Sequence, residues 1–328
     1  MNGFEGMQRR FGIGAMSFGN FYGPTTEANS HAIMDAAMEI GVTHIDTSNV
    51  YGMGGSETAI GTFFKARGSA ARDHFHIATK AGITKDADGK RAYRNDLAHL
   101  EAELDNSLTR MGVDAVDLFY IHRRQADLPI EDATGHLARL VEKGKAKTIG
   151  FSEIAPSSLR RAATVHPIAA VQSEYSLSTR MPELGLVQAC AELGTALVAF
   201  SPVGRSLLTD HPVPADIVPT LPFLSSNPRF LEPNYSANIA ITHRFRALAA
   251  EMGEPAAAIA IAWLLHKAPH IVPIPGTRSV AHFRELVRGT DLTLTAEDIT
   301  RIETVLPVGW AHGERYSKDQ WIGPEQYC

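Results

Sequence analysis

Four side chains within the first 122 residues are of the types needed to move a proton onto a developing oxyanion: Asp46, Tyr51, Lys80 and His122. A phenol such as Tyr51 has a reference pKa of about 10, so it holds its proton at neutral pH. A lysine cation within hydrogen-bond reach would lower that value by roughly 1 to 3 and make the phenol a better donor. A carboxylate beside the lysine would keep the ammonium charged and aimed. An imidazole, His122, can donate a hydrogen bond to a carbonyl oxygen or hold the substrate. General acid catalysis of this kind typically contributes about 10²–10⁴-fold. Protonating an alkoxide is half of carbonyl reduction. The other half is a hydride, which no side chain supplies, so the chemistry calls for a nicotinamide cofactor.

These residues are far apart in sequence, so separate elements must bring them together. Eight short apolar runs read as strands buried on both faces: Gly12–Met16, Thr43–Ile45, Phe75–Ala78, Val116–Ile121, Ala146–Ile149, Ile168–Val171, Ala196–Phe200 and Ile271–Ile274. Helical patterns lie between them. Leu97, Leu100, Leu104, Leu108 and Met111 step by three or four and form one stripe. Ile33, Ala36, Ala37 and Ile40 do the same, with Gly41 as a C-terminal stop, and Leu137, Leu140 and Val141 mark a helix ending near Gly144. Pro156 suits a first helical turn, and further helices are expected near Glu183–Leu193, Ala240–Met252 and Ala256–Lys267. Strands and helices alternate without a break in composition. This predicts an α/β fold, a closed (β/α)₈ TIM barrel forming a single domain over residues 1–328. The rival is a doubly wound dinucleotide-binding sheet. The first strand–helix turn, Gly12-Ile13-Gly14-Ala15-Met16-Ser17-Phe18-Gly19, lacks that fold's third glycine at the required spacing.

A barrel points all its strand ends at one mouth, where chemistry happens. The strand ends here carry Asp46, Thr79-Lys80, His122-Arg123, Ser152-Glu153, Gln172, Ser201 and Pro275-Gly276-Thr277-Arg278. Any one of these is unremarkable, because a strand must become polar somewhere. Their recurrence on neighbouring strands is harder to explain without a site. From Ser201 to Asn238 the periodicity fades and seven prolines appear, which predicts a semi-rigid flap after the seventh strand. An irregular tail from about residue 307, with Trp310, Tyr316 and Trp321, is expected to cover part of the mouth.

The order of these blocks resembles the aldo-keto reductase family. Gly41-Val42-Thr43-His44-Ile45-Asp46-Thr47-Ser48-Asn49-Val50-Tyr51-Gly52 with Ser56-Glu57 is similar to its signature. Ala78-Thr79-Lys80, Tyr120-Ile121-His122-Arg123, Gly150-Phe151-Ser152-Glu153 and Val171-Gln172-Ser173-Glu174-Tyr175-Ser176 match the later blocks in order. Phe200-Ser201-Pro202-Val203-Gly204-Arg205 and Ile274-Pro275-Gly276-Thr277-Arg278 complete the set, which runs from about Phe11 to Val287. The resemblance implies a barrel that binds NADP(H), in preference to NAD(H), in extended form and reduces an aldehyde or ketone reversibly. It implies Tyr51 as general acid, Lys80 as the residue lowering its pKa, Asp46 as counter-charge and His122 as the carbonyl-orienting group. Ser152 and Gln172 match residues that hold the nicotinamide carboxamide. Glu153 stands where many members have Asn, as a further cofactor contact, and Phe200 stands where an aromatic stacks on the nicotinamide. Ser201, Val203, Gly204 and Arg205 match the pyrophosphate turn. Gly276, Thr277 and Arg278 match the loop around the 2′-phosphate and adenosine. His282 and Leu286 stand where many members carry Arg and Asn, which leaves Arg278 as the charge for a 2′-phosphate.

Other classes are weighed against this reading. With 31 Lys and Arg against 36 Asp and Glu, the net charge of −5 argues against a nucleic-acid partner. The longest apolar run, Ala256 to Leu265, is too short to span a bilayer, and Arg9-Arg10 is not followed by an apolar leader region. A soluble cytoplasmic protein acting on a small carbonyl compound is therefore expected. His74 and His76 resemble a hydrolase metal pair but fall at a strand start, away from the mouth, so no metal site is expected. Cys190 reads as a core residue and Cys328 as a tail thiol. The alternative on the same fold is a redox-sensing or regulatory subunit, which slow turnover of an aldehyde panel would reveal.

Overall fold

The computed structural model describes residue 4 and residues 7–327; Cys328 lies outside the described residues. In chain order its strands are β1 (Gly12–Gly14), β2 (His44–Asp46), β3 (His76–Ala81), β4 (Ile83–Lys85), β5 (Arg91–Tyr93), β6 (Val116–Ile121), β7 (Ala146–Ser152), β8 (Ala170–Glu174), β9 (Ala196–Phe200) and β10 (Ile271–Pro273). Eight of them pair in parallel in the order β1-β2-β3-β6-β7-β8-β9-β10, while β4 and β5 form a separate antiparallel hairpin. Each of the eight barrel strands overlaps one of the eight apolar runs of the sequence, with the same bounds at β6 and β9 and shifted ends elsewhere. The sheet closes where the Gly14 N–H donates to the Pro275 carbonyl at 3.0 Å. Only glycine permits that approach. A Cβ on Gly14 would sit 2.5 Å from the Ile274 carbonyl oxygen, and one on Gly276 would sit 2.6 Å from that of Gly14.

Alternate residues of each strand face two different interiors. On β6, Leu118 and Tyr120 join Ala78, Ala170 and Val198 inside the barrel, whereas Phe119 and Ile121 pack with the larger core shared by the surrounding helices. That is why β6 is buried along its whole length and is apolar from Leu118 to Ile121.

The helices carry the punctuation their sequences promise. Helix Glu27–Ile40 is capped by the Thr26 side chain and stopped by Gly41 in the left-handed region. Helix Leu97–Met111 buries Leu100, Leu104, Leu108 and Met111 and is capped by Asp96. Pro156 opens helix Pro156–Ala163. Two expectations need correction. The Glu183–Leu193 segment divides into a 3₁₀ turn and helix Leu186–Leu193, because Gly185 adopts φ 125° between them. The helix expected from Ala240 begins at Asn234, shortening the preceding loop. Helices Gly55–Arg67, Val280–Arg288 and Ala296–Val305 were not among those the periodicity marked.

The proline-rich loop is packed. It forms three 3₁₀ turns and a satellite core of Leu207, Val218, Leu221, Leu224, Phe230 and Tyr235. The Arg10 guanidinium donates to the Leu265 and Ala268 carbonyls at 3.2 and 2.9 Å, capping the buried helix Ala256–Lys267. Among the described residues no single helix is long and apolar enough to cross a membrane.

At the strand-start end of the barrel, His44 Nδ1 and His76 Nδ1 lie 3.0 Å apart. Burial holds both imidazoles below their ordinary pKa, His44 well below it, with each other's neighbouring charge adding to the effect on His44. The unfolded chain protonates such groups first, near pH 6.5. Their contribution to stability is therefore fully present above about pH 6.5 and is lost as pH falls. The melting temperature should drop between about pH 7 and pH 5, and His44→Gln should flatten that slope. An unchanged slope would remove His44 from the acid response.

Candidate active site

The C-terminal ends of the strands open into a cavity of about 1080 Å³. At its base the Lys80 ammonium bonds the Asp46 carboxylate and donates to the Thr47 carbonyl at 2.7 Å. Gln172 Nε2 donates to the other Asp46 oxygen at 2.7 Å. Both members of the ion pair are buried. Burial pushes Asp46 up and Lys80 down, and each partner's charge and hydrogen bond oppose that drift.

Tyr51 rides on the loop after β2. That loop is anchored by Thr47 N–H to the Ala78 carbonyl (2.8 Å) and Asn49 N–H to the Lys80 carbonyl (3.2 Å). The Tyr51 ring centroid lies 5.1 Å from Lys80 Nζ and 5.7 Å from the His122 ring, which stands edge-on at 83°. Phe21 meets the same ring edge-on at 6.1 Å. The lowering of the phenol expected from Lys80 does not emerge. Burial pushes Tyr51 above its ordinary pKa, the Asp46 carboxylate adds to this, and the Arg123 guanidinium opposes it. The Lys80 bonds run instead to Asp46 and Thr47.

His122 is set by its neighbours. Its Nδ1 is 3.0 Å from the Ser48 hydroxyl, and its backbone N–H donates to Ala81 at 2.8 Å. Burial, then the charges of Arg123, Lys80 and Arg91, hold the imidazole well below its ordinary pKa, so it is neutral at physiological pH.

From this cluster the cavity runs past Ser152, Gln172 and Phe200 to the turn at Ser201 and Val203, then to Gly276, Thr277, Arg278 and His282. Ser201, Arg205 and Ser206 all adopt left-handed backbone, a conformation that side-chain-bearing residues hold at a cost and that concentrates at functional turns. The Arg205 guanidinium reaches the cavity wall but is committed to Glu174 at 2.8 Å and to the Arg315 carbonyl at 3.1 Å. Arg278 donates to the Pro24 carbonyl at 3.0 Å and has no carboxylate partner among the described residues. His282 stacks on His211 of the flap at 4.9 Å.

The sequence model of the aldo/keto reductase family matches residues 10–307. The chain belongs to that family. It is 34% identical over 309 residues to the aldo-keto reductase yakc [NADP(+)] of Schizosaccharomyces pombe, covering 93% of this chain and 90% of that one. Its structure is similar to that of the glycerol dehydrogenase AKR11B4 from Gluconobacter oxydans, with a TM-score of 0.77 at 26% identity over 90% of this chain and 91% of that one. It also shares its fold with the aldo-keto reductase AKR11C1 from Bacillus halodurans in its holo form, with a TM-score of 0.73 at 24% identity and 95% of each chain covered. As an aldo/keto reductase the chain is an oxidoreductase of carbonyl and alcohol groups.

In this aldo/keto reductase most of the expected site residues share one cavity, and three do not line it. Lys80 lies beneath the wall, bonded to Asp46. Gly204, with φ 59°, donates its N–H to the Ser201 carbonyl at 2.9 Å and shapes the turn from behind. Glu153, expected as a cofactor contact, is spent elsewhere. One oxygen accepts the Glu174 N–H at 2.8 Å and the Ser173 hydroxyl at 3.2 Å, and the other bonds Arg315 at 2.5 Å. His74 and His76 form no pair: His74 Nε2 meets the Val42 carbonyl at 3.0 Å and His76 meets His44. The tail does reach the mouth, through Tyr316 and Gln320. Trp310 and Trp321 stay out of the wall. The Trp310 indole donates to the Leu177 carbonyl at 2.8 Å, and Trp321 packs edge-on against Tyr316. Ser48, Arg91 and Arg123 were not among the expected site residues. In the sequence Arg123 stands out only through the Tyr120-Ile121-His122-Arg123 block at a strand end, and Ser48 only through the signature block that follows the second strand.

Proposed function

We propose that this enzyme reduces an aldehyde or ketone to the alcohol with NADPH, Tyr51 donating the proton. The carrying observation is that Asp46, Tyr51 and His122, with Lys80 beneath them, converge at one end of a cavity that continues past Ser152, Gln172 and Phe200 to Arg278. Its volume and lining suit an extended dinucleotide. The left-handed turn at Ser201 and Arg205 and the close-packed glycine at 276 bring backbone to the wall where phosphates would lie, as loops after the last barrel strands commonly do.

NADPH, when bound, supplies the hydride. The chain's own residues manage the oxygen. The neutral His122 imidazole, held at Nδ1 by Ser48, positions the carbonyl oxygen, and the Tyr51 hydroxyl delivers its proton to that oxygen. Because burial holds the phenol protonated, the donor form is present throughout the physiological range. Lys80 and Asp46 fix the floor beneath the Tyr51 ring. Ser152 and Gln172 would hold the carboxamide, Phe200 would face the nicotinamide, and the Ser201–Arg205 turn would take the pyrophosphate. The loop carrying Gly276, Thr277 and Arg278, with His282, would enclose the adenosine.

A nicotinamide fluorescence titration followed by an aldehyde screen tests this reading. Saturable NADPH binding with NADPH-dependent turnover is the expected result, and binding without turnover of any aldehyde would overturn it. The 2′-phosphate assignment makes a narrower prediction. Arg278→Ala should weaken NADPH by about tenfold or more, because a guanidinium–phosphate contact is lost, and NADH much less. Equal losses would place the 2′-phosphate elsewhere.

A further inference from the structure

The substrate end of the cavity carries positive charge that its own residues leave unneutralised. The β4–β5 hairpin stands beside His122, and its register sets Lys85 directly opposite Arg91 and Ile83 opposite Tyr93. Directly opposed residues share a face, as do residues two apart on one strand. Ile83 and Arg91 both line the cavity, so this is the face turned to the site. Two cations opposed on an isolated hairpin repel, and neither Lys85 nor Arg91 has a carboxylate within ion-pair distance among the described residues. The Asp86 carboxylate, at the hairpin turn, accepts the Asp88 and Lys90 N–H groups at 3.0 and 2.9 Å.

Arg123 reinforces the pattern. Its Nη1 donates to the His122 carbonyl at 2.6 Å and to the Ser152 hydroxyl at 3.0 Å, and its Nη2 donates to the Tyr316 hydroxyl at 3.3 Å. All three partners are neutral, and no bond among the described residues engages Nε. The root of the hairpin is tied to this residue, because Asn95 Nδ2 donates to the Arg123 carbonyl at 3.2 Å and Arg94 N–H closes onto the Gly82 carbonyl at 2.9 Å. Two carboxylates line the cavity among the described residues: Asp46 is already bonded to Lys80, and Asp210, on the flap, accepts the Ala256 N–H at 2.8 Å. Phe21, Tyr22 and Ile83 supply apolar wall for the body of a ligand.

We infer that the physiological substrate is an anionic carbonyl compound, whose carboxylate or phosphate is held by Arg91 and Arg123 while its carbonyl meets Tyr51 and His122. The inference rests on the reductase reading above. Guanidinium groups suit both anions, binding their paired oxygens through fixed N–H donors.

Three matched aldehydes test it with the full chain and NADPH: 4-formylbenzoate, 4-formylphenyl phosphate and methyl 4-formylbenzoate. At least one anion should exceed the neutral ester in kcat/KM by about tenfold, the size of one charge-assisted hydrogen bond. Which anion leads separates a carboxylate from a phosphate substrate. That ratio should fall toward one in Arg91→Gln and shrink with ionic strength in the unaltered enzyme. Turnover of all three without anion preference, or a ratio that survives Arg91→Gln, would overturn the inference while leaving the reductase reading intact. NADPH-dependent turnover of none of the three would overturn the inference, and turnover of no aldehyde in the wider screen would overturn the reductase reading as well.

Discussion

Replacing Tyr51 with Phe lowers aldehyde turnover by about 10²–10⁴-fold, the usual contribution of a positioned general acid, and leaves NADPH affinity nearly unchanged. The substitution removes one oxygen. The ring contacts with Phe21 and His122 and the 5.1 Å approach of Lys80 Nζ to the ring centroid all survive it. The ion pair of Lys80 with Asp46 and the bond from Gln172 do not involve the phenol. The loss should therefore fall on kcat, because the missing bond forms fully only as the oxygen gains charge. Steady-state kinetics with a fluorescence titration of NADPH separate the two effects. Turnover within twofold of the unaltered enzyme would remove Tyr51 as the proton donor.

Arg315→Ala destabilises the fold by about 3–5 kcal/mol, the cost of leaving one partner of a buried pair uncompensated. Arg315 bonds Glu153 at 2.5 Å, and its guanidinium carbon lies 4.7 Å from the ring centroids of both Tyr316 and Trp321. Both members of the pair are almost fully buried. Burial alone would raise Glu153. The Arg315 charge and hydrogen bond outweigh it and hold the carboxylate below its ordinary range. A depressed carboxylate stabilises the fold above its unfolded pKa of about 4.3 and loses that contribution as pH falls. The cost of Arg315→Ala should accordingly be largest near neutrality and shrink in acid, where Glu153 takes up a proton. Denaturant midpoints across pH check both size and sign. A loss under about 1 kcal/mol at neutral pH would mean that the tail is held mainly by other contacts, such as Glu325 on Arg124 and on the Ala155 N–H.

The same glutamate marks where reading from sequence stops. Glu153 follows Ser152 at a strand end, and nothing local distinguishes the two. Its partner is 162 residues away in an irregular tail, so only the folded chain reveals that it anchors the tail instead of lining the cavity. Arg91 and Arg123 are a parallel case. The short β4–β5 hairpin interrupts the strand–helix rhythm, and its charge acquires meaning only where it folds back beside His122.

What the chain's residues determined unaided was the eight-strand rhythm, the closed barrel and the convergence of Asp46, Tyr51, Lys80 and His122. Those properties are local: an apolar run ends where its strand leaves the core, and a parallel barrel carries every such end to one mouth. What tertiary structure alone decided was the electrostatics. Tyr51 is raised and not lowered, because desolvation depends on what packs around a side chain and outweighs a charge already committed to Asp46.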